Sequence, residues 1–204
     1  MTSDHDDSAL PAPRPPAPVR GQFHDGLEAA ERAEFTRPVP KGAGAQFRFL
    51  LARAKGSTAA VAARLGISRR TVQRYAAGRL RRPQKALRAA LEEETARDWQ
   101  PGVRARVREQ ASSGGGLLIE ARARFGFRAA LGSTDDPRMR LIRQTVSPDH
   151  AGRILAARER GATEAELQEL VAQALGYAYF GNFGDRAKGV EVVFTDVDYI
   201  DFRF

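Results

Sequence analysis

Two groups of side chains in this sequence have residue types and spacing that could support nucleophilic attack or metal binding. The first is the pair of hydroxyls Ser133 and Thr134, which directly precede the carboxylates Asp135 and Asp136. A hydroxyl can serve as a nucleophile when a neighbouring group activates it, but the sequence offers no base or triad partner for it. Ser, Thr and Asp next to Gly132 are also typical of a tight turn. The residues alone favour the turn and leave the nucleophile as the alternative.

The second group is acidic and consists of Asp196, Asp198 and Asp201. Side chains of a strand alternate between its two faces, so Asp196 and Asp198 share a face and would hold Mg²⁺ if further oxygen ligands came close. Charged side chains also protect an exposed edge strand from pairing with another chain. The edge strand is the favoured interpretation of this acidic set.

Composition excludes several other kinds of site. The chain has no cysteine, which excludes disulfides and thiolate zinc sites, and its three histidines are too few for a histidine metal cluster. It contains no apolar run of about 18 residues, the length of a membrane span, and residues 1–7 lack the order of a secretory signal. We therefore expect a cytoplasmic protein that contacts no membrane and binds no metal or cofactor of its own.

The basic residues are concentrated in one part of the chain. Residues 37–110 carry 18 basic and 5 acidic side chains, a net charge of +13, whereas residues 1–36 carry −4 and residues 111–204 carry −1. A general enrichment in arginine would also have made the last third of the chain basic. A localised positive field is typical of a module that binds a polyanion, because phosphate contacts supply most of the sequence-independent affinity.

The pattern of residues 57–78 predicts a helix-turn-helix within this basic segment. Val61 and Leu65 are four residues apart and lie on one face of a first helix. Gly66 can adopt the left-handed conformation that ends a helix, and Ser68 is a favourable N-cap for a second one. The other interpretation is an ordinary helical hairpin with a solvated charged face.

The second helix of such a motif enters the major groove of DNA by its N-terminal turns. Arginine bonds bidentately to guanine and glutamine to adenine, while other basic side chains neutralise phosphates. The residues that we predict to contact DNA are Ser68, Arg69, Arg70, Thr71, Gln73, Arg74, Arg79, Arg81, Arg82 and Lys85, and Arg88 follows them as a further basic residue that could track the DNA backbone.

The rest of the chain predicts an α+β fold, with an N-terminal all-α domain followed by a small α+β domain that has a mostly antiparallel sheet. We expect a disordered Pro-rich arm at 1–22, a helical DNA-binding domain at 23–110, a Gly/Ser linker at 111–116 and the α+β domain at 117–204. Apolar spacing, caps and turn residues place the helices at about 22–36, 43–54, 58–65, 69–77, from Pro83 onward, 103–110, 148–160 and 163–174. Strands are predicted at about 117–129, 138–146 and 190–204.

Several distinctive stretches occur together in this chain. They are FTRPVPK at 35–41, the helix-turn-helix through Tyr75, WQP at 99–101, ARFG at 123–126, GSTDD at 132–136 and EVVFTDVDYI at 191–200. In this combination and order they resemble the telomere-protecting terminal proteins, the Tpg family of linear Streptomyces-type chromosomes and plasmids. The resemblance covers residues 35–204, and the Pro-rich arm is an extension beyond it.

The resemblance implies a protein that caps the 5′ ends of linear DNA and primes the synthesis that fills them. The priming residue of the family is the threonine of the GSTDD motif, which is Thr134 here, and Ser133 is the fallback acceptor. The resemblance leaves the role of Asp135 and Asp136 open. This shifts the interpretation of the hydroxyl pair from a turn alone to a nucleophile on an exposed turn.

The partners implied by the resemblance are telomeric DNA, a telomere-associated single-strand-binding protein and a DNA polymerase. Thr134 would be a protein substrate, with Mg²⁺ held by the polymerase, so the chain is expected to be a primer and not an enzyme. Its expected location is the nucleoid, at DNA ends. Two alternatives remain: a transcriptional regulator whose C-terminal domain dimerises or binds a ligand, and a replication or recombination accessory protein without covalent chemistry.

Overall fold

The computed structural model of this chain describes residues 22–128, 135–180 and 191–204. By their internal contacts these residues divide into two compact units. We call Arg37–Gln100 the helical unit, and residues 22–36 together with the described part of Pro101–Phe204 the sheet unit. The fold class is α+β, as the sequence predicts.

The described residues form eight α-helices and three strands, in the following order along the chain. They are α1 (Gln22–Ala33), α2 (Ala43–Arg53), α3 (Thr58–Leu65), α4 (Arg69–Ala76), α5 (Lys85–Asp98), α6 (Pro101–Gln110), β1 (Leu117–Arg128), β2 (Asp135–Val146), α7 (Pro148–Glu159), α8 (Glu164–Phe180) and β3 (Glu191–Arg203). A π-helical turn, Ala111–Gly115, continues α6.

Helices α2 to α5 of the helical unit enclose one small apolar core. Its buried side chains are Phe47, Leu50, Val61, Ala62, Leu65, Val72, Tyr75 and Leu91. The rings of Phe47 and Tyr75 stack with their centroids 4.9 Å apart, which couples α2 to α4. Because these residues recur at helical spacing, the sequence predicts all four helices, and α3 has the predicted bounds.

The sheet unit contains a three-stranded antiparallel sheet with the order β2-β1-β3. Alternate side chains of the central strand are completely buried, namely Leu117, Ile119, Ala121, Ala123 and Phe125. They share one apolar cluster with residues of α1, α7 and α8, whereas Arg122 and Arg124 between them are exposed. An antiparallel sheet with one covered face shows this alternation.

One buried carboxylate joins three helices of the sheet unit. Glu31 of α1 is completely buried and forms ion pairs with Arg104 and Arg108 of α6 and with Arg158 of α7, the last at 2.8 Å. Burial lowers the pKa of Arg158, because desolvation penalises its charged form. A buried charge destabilises a fold unless it is paired. The ion pairs with Glu31 therefore stabilise the packing of α6 and α7 against α1.

We predict that Glu31→Gln lowers the free energy of unfolding of the sheet unit by about 3–5 kcal/mol, the usual cost of breaking a buried pair from one side. The change removes the charge but keeps the shape, so the three guanidinium groups lose their ion pair with Glu31, while Arg108 keeps its ion pair with Glu159. Urea unfolding followed by far-UV circular dichroism measures the loss. Fluorescence of Trp99, the single tryptophan, reports on the helical unit in the same titration.

Glu34→Gln is the matched control, because Glu34 is exposed and lies just beyond the end of α1. It is expected to change the unfolding free energy by less than about 0.5 kcal/mol, as surface substitutions do. Equal losses for the two variants would contradict the stabilising role of Glu31.

The division into units differs from the predicted domain boundaries. The sequence places α1 and α6 in one helical domain at 23–110, whereas both helices belong to the sheet unit. The reason is that Phe23 and Leu27 of α1 join the apolar cluster of the sheet, and Glu31 pairs with arginines of α6. These partners are far apart in the chain, so local patterns did not reveal them.

The predicted Gly/Ser linker at 111–116 is part of the folded sheet unit. Ala111 is buried in its apolar cluster, and the π-helical turn packs against α7. Gly116 has φ +71°, and a Cβ added there would lie 2.2 Å from the carbonyl oxygen of Val146. Glycine is therefore required here for a close backbone approach and not for flexibility.

Several element bounds also differ from the prediction. Pro83 precedes α5, which begins at Lys85, and β2 begins at Asp135 instead of residue 138. Helix α8 extends to Phe180. Residues 1–21 of the predicted arm, the hydroxyls Ser133 and Thr134, and residues 181–190 lie outside the described residues.

Candidate nucleic-acid interface

The turn between α3 and α4 is built by two local devices that the sequence predicts. Gly66 ends α3 in the left-handed conformation, with φ +64°. The backbone N–H of Ile67 then donates to the carbonyl of Ala62 at 3.0 Å. Ser68 begins α4: its hydroxyl oxygen accepts from the backbone N–H of Thr71 at 3.1 Å and lies 2.9 Å from the Thr71 hydroxyl. The direction in which α4 starts is therefore fixed by backbone geometry and a side-chain cap.

Helix α4 has one apolar face and one basic face. Val72 and Tyr75 are buried in the core of the helical unit. Arg69, Arg70 and Arg74 are exposed. Val72 and Tyr75 are three residues apart and share the inner side of the helix, so Arg70 and Arg74 lie on the opposite side, and Arg69 is exposed at the first position of the helix. Helix α4 is thus placed so that its basic face is open to a ligand.

Nearly all of the ten predicted DNA-contacting residues in the helical unit are open to solvent. Thr71 is half-buried, and the remaining nine are exposed, namely Ser68, Arg69, Arg70, Gln73, Arg74, Arg79, Arg81, Arg82 and Lys85. The segment from Arg79 to Gln84 is neither helix nor strand. It follows α4 directly, so the basic side chains of α4 and of this segment form one continuous stretch of the chain.

The acidic residues of the helical unit are collected in one place, away from α4 in the sequence. Residues 37–100 carry fifteen basic and four acidic side chains, and all four acids lie between residues 92 and 98 of α5. Arg64 donates to Asp98 at 2.7 Å and from its Nε to Glu94 at 2.9 Å. The hydrogen bond with Asp98 raises the pKa of Arg64, and that with Glu94 adds to the effect. Arg97 pairs with Glu93 and Glu94.

The acids of α5 pair with Arg64 and Arg97 and not with the arginines of α4. Among the described residues, no ion pair joins a carboxylate to Arg69, Arg70 or Arg74. Further exposed basic residues surround the same unit: Arg37, Lys41, Arg48, Arg53, Lys55 and Arg88. Of these six residues, the sequence pattern predicts only Arg88 to be near DNA. The other five lie outside the helix-turn-helix and the segment that follows it, so their charge alone did not indicate a contact with DNA.

We predict that Ser68→Ala destabilises the helical unit by about 1 kcal/mol, the typical cost of losing an N-cap. The substitution removes the acceptor for the Thr71 backbone N–H. Urea unfolding followed by Trp99 fluorescence measures the change. Ser68→Asp is the control, because aspartate also caps a helix and is expected to retain nearly all the stability. A loss of equal size in the aspartate variant would argue against the cap.

The acidic set of β3 neutralises arginines of the neighbouring strand. Asp196 pairs with Arg124 at 2.7 Å, and Asp198 pairs with Arg122 at 3.3 Å. Strand β3 is an edge of the sheet, as the favoured interpretation predicts. Among the described residues, no three or more His, Cys, Asp or Glu side chains lie close enough together to hold a metal ion. The alternative interpretation, a Mg²⁺ site at Asp196 and Asp198, therefore gains no support from the described residues.

The remaining predicted residue, Thr134, directly precedes the first residue of β2 but is not itself described. The ends of β1 and β2 pair next to it, with Phe127 opposite Asp135. Arg124 of this end donates to the carbonyl of Pro137 at 3.2 Å. In the sequence, the undescribed segment 129–134 therefore connects two strands that pair with each other.

Comparison of the chain with protein-family models, with curated proteins and with solved structures finds no match. Across the described ranges, none of the helices has the length and apolar character of a membrane span. The function is therefore inferred from the chain's own residues and from the geometry of each unit.

Proposed function

We propose that this chain binds duplex DNA through a helix-turn-helix formed by α3 and α4. The observation that carries the proposal is the basic face of α4, where Arg69, Arg70 and Arg74 are exposed and have no ion pair with a described carboxylate. A capped helix with its N-terminal turns free and an arginine-rich outer face fits the major groove, where arginine reads guanine. Thr71 and Gln73 supply further polar contacts of the same helix.

The proposed biological role is that of a telomere terminal protein, which caps the 5′ ends of linear replicons and primes the synthesis that completes them. The motifs of residues 35–200 support this role through their resemblance to the Tpg family. Its partners would be telomeric DNA, a telomere-associated single-strand-binding protein and a DNA polymerase. In the cell it would lie at DNA ends in the nucleoid.

The proposed chemistry takes place on Thr134. Its hydroxyl oxygen attacks the α-phosphorus of a deoxynucleoside triphosphate, a P–O bond to the protein forms, and pyrophosphate leaves. The hydroxyl proton passes to solvent or to a base of the polymerase. The polymerase and its Mg²⁺ activate the hydroxyl and stabilise the transferring phosphoryl group. The chain supplies the acceptor and its position, so it acts as a primer and not as the catalyst.

The experiment that tests this role uses the full-length chain, a DNA polymerase, Mg²⁺, an α-labelled deoxynucleotide and a duplex with a recessed 5′ end. We expect label on the protein that resists boiling in detergent and requires the template. Peptide mapping is expected to place the label on residues 132–136. A chain that binds the duplex but acquires no label would contradict the priming role and leave DNA binding intact.

A second candidate function is a transcriptional regulator whose sheet unit dimerises. The observation that favours it is the side-chain exposure on the sheet, where Leu141 is 68% exposed and Met139 and Tyr199 are each 40% exposed. Exposed apolar groups of this kind are suited to a protein contact. Binding to a palindromic site as a dimer, without nucleotide transfer, would identify this function.

A further inference from the structure

Residues 79–84 follow α4, form neither helix nor strand, and are hydrogen-bonded within the helical unit; we call them the basic arm. It leaves α4 through Gly78, which has φ +72°. The backbone N–H groups of Arg79 and Leu80 both donate to the carbonyl of Arg74, at 2.8 and 3.2 Å. The Tyr75 hydroxyl donates to the carbonyl of Arg82 at 3.3 Å. The beginning and the middle of the arm are thus hydrogen-bonded to α4.

The basic arm has two kinds of side chain: apolar anchors that pack against the helical unit, and exposed arginines. Leu80 packs against the apolar core and Pro83 is buried. Arg79, Arg81 and Arg82 are exposed. In the described chain none of the three forms an ion pair with a carboxylate. The anchors keep the backbone in place, so the arginines are presented to a ligand without a large ordering cost.

An α4 that inserts with its N-terminus towards the base edges would bring the basic arm to the level of the DNA backbone. Helix α4 has 8 residues and is therefore about 12 Å long. The major groove is only about 8.5 Å deep. When the first turn of α4 touches base edges, its C-terminus and the arm lie beside the phosphates that separate the major groove from the minor groove.

The shape and composition of the basic arm fit the minor groove. That groove is about 6 Å wide, too narrow for a helix but accessible to single side chains of a non-helical segment. Its A·T-rich stretches are narrow and carry an enhanced negative potential that attracts arginine. Arg79 and Arg81 are two residues apart, so their Cα atoms are separated by at most about 7 Å, roughly two base-pair steps.

We propose that Arg79 and Arg81 enter the minor groove next to the major-groove site of α4 and confer a preference for A·T base pairs there. This inference rests on the proposed binding of duplex DNA and adds a second region of base readout to it. Arginine suits this role better than lysine, because its guanidinium is less strongly hydrated and presents several donors.

The test uses the full-length chain and duplex sites enriched from a random-sequence library. The base pairs beside the α4 contact, located by footprinting, are replaced by A·T, by G·C or by inosine·C. An inosine·C pair has the major-groove face of G·C but lacks the amino group of guanine in the minor groove. We expect A·T and inosine·C sites to bind about equally and about tenfold more tightly than G·C sites.

The double variant Arg79→Lys/Arg81→Lys keeps the charge of the basic arm. We expect it to retain the salt dependence of binding and to lose most of the A·T preference. The control is Arg106→Lys/Arg160→Lys, which changes two exposed arginines of the sheet unit and is expected to keep the preference.

Three results would overturn the inference: equal binding to all three sites, inosine·C behaving like G·C, or an unchanged preference in the Arg79→Lys/Arg81→Lys variant. Each of these leaves duplex binding in place. A chain that binds no duplex would instead refute the proposed function, so the two failures are distinguishable.

Discussion

Replacing Arg69, Arg70 and Arg74 together with alanine is expected to weaken binding to duplex DNA by at least about a hundredfold at moderate salt. Each arginine that reads a guanine contributes about 1–3 kcal/mol, and each that neutralises a phosphate contributes to the salt-dependent affinity. The three side chains are exposed on α4, where the buried Val72 and Tyr75 lie on the other face. Their removal therefore affects the ligand surface and leaves the core unchanged.

Titration at several salt concentrations separates arginines that neutralise phosphates from arginines that read bases. The slope of log K against log[salt] is expected to flatten by about 0.9 for each phosphate that the variant no longer neutralises. A variant with weaker binding and an unchanged slope would be deficient in base recognition alone. Fluorescence of Trp99 verifies that the helical unit of the variant is folded.

The matched control removes the same number of positive charges from the sheet unit. Arg106, Arg153 and Arg160 are exposed there, and their joint replacement by alanine lowers the net charge equally. We expect this control to bind DNA within about threefold of the original chain, because these side chains are not part of the proposed contact surface on α4. Equal weakening of the two triple variants would show that α4 is not the contact surface.

Thr134→Val is expected to abolish the transfer of nucleotide to the chain. Valine has nearly the shape of threonine but lacks the hydroxyl that would accept the α-phosphate. Because no other group of the side chain can replace that oxygen, we expect a loss of label to below about one hundredth, the size of effect seen when a nucleophile is removed. DNA binding is expected to be unchanged, since the contact residues lie in the helical unit.

Ser133→Ala is the matched control, because it removes the neighbouring hydroxyl and leaves Thr134 in place. It is expected to retain labelling. The opposite pattern, with labelling lost in Ser133→Ala and kept in Thr134→Val, would make Ser133 the acceptor. Labelling that survives in both variants would refute priming from this motif.

The sequence alone was sufficient for the parts of the candidate interface that depend on neighbouring residues. Gly66 in the left-handed conformation and the Ser68 cap involve hydrogen bonds across three to five residues. The burial of Val72 and Tyr75 follows from helical periodicity within α4. The exposure of Arg70 and Arg74 then follows, because they lie on the opposite side of the same helix, which is left to solvent.

The start of helix α8 in the sheet unit was predictable for the same reason. Thr163 and Glu166 form a capping box, in which the Glu166 carboxylate accepts from the Thr163 backbone N–H at 2.6 Å. This hydrogen bond lowers the pKa of Glu166, and a second one from the Thr163 hydroxyl adds to the effect. Such a cap is readable from the sequence because both partners lie within one turn of helix.

Only the tertiary structure decided which helices belong together and which charges are neutralised. Glu31 pairs with Arg104 and Arg158, which are 73 and 127 residues away in the chain. Arg64 of α3 is neutralised by acids of α5, whereas Arg69 of α4 is not. Local patterns specify hydrogen bonds and faces within a helical turn, but whether a charge meets an opposite charge depends on which distant segments pack together. That packing is determined by the burial of apolar surface over the whole unit.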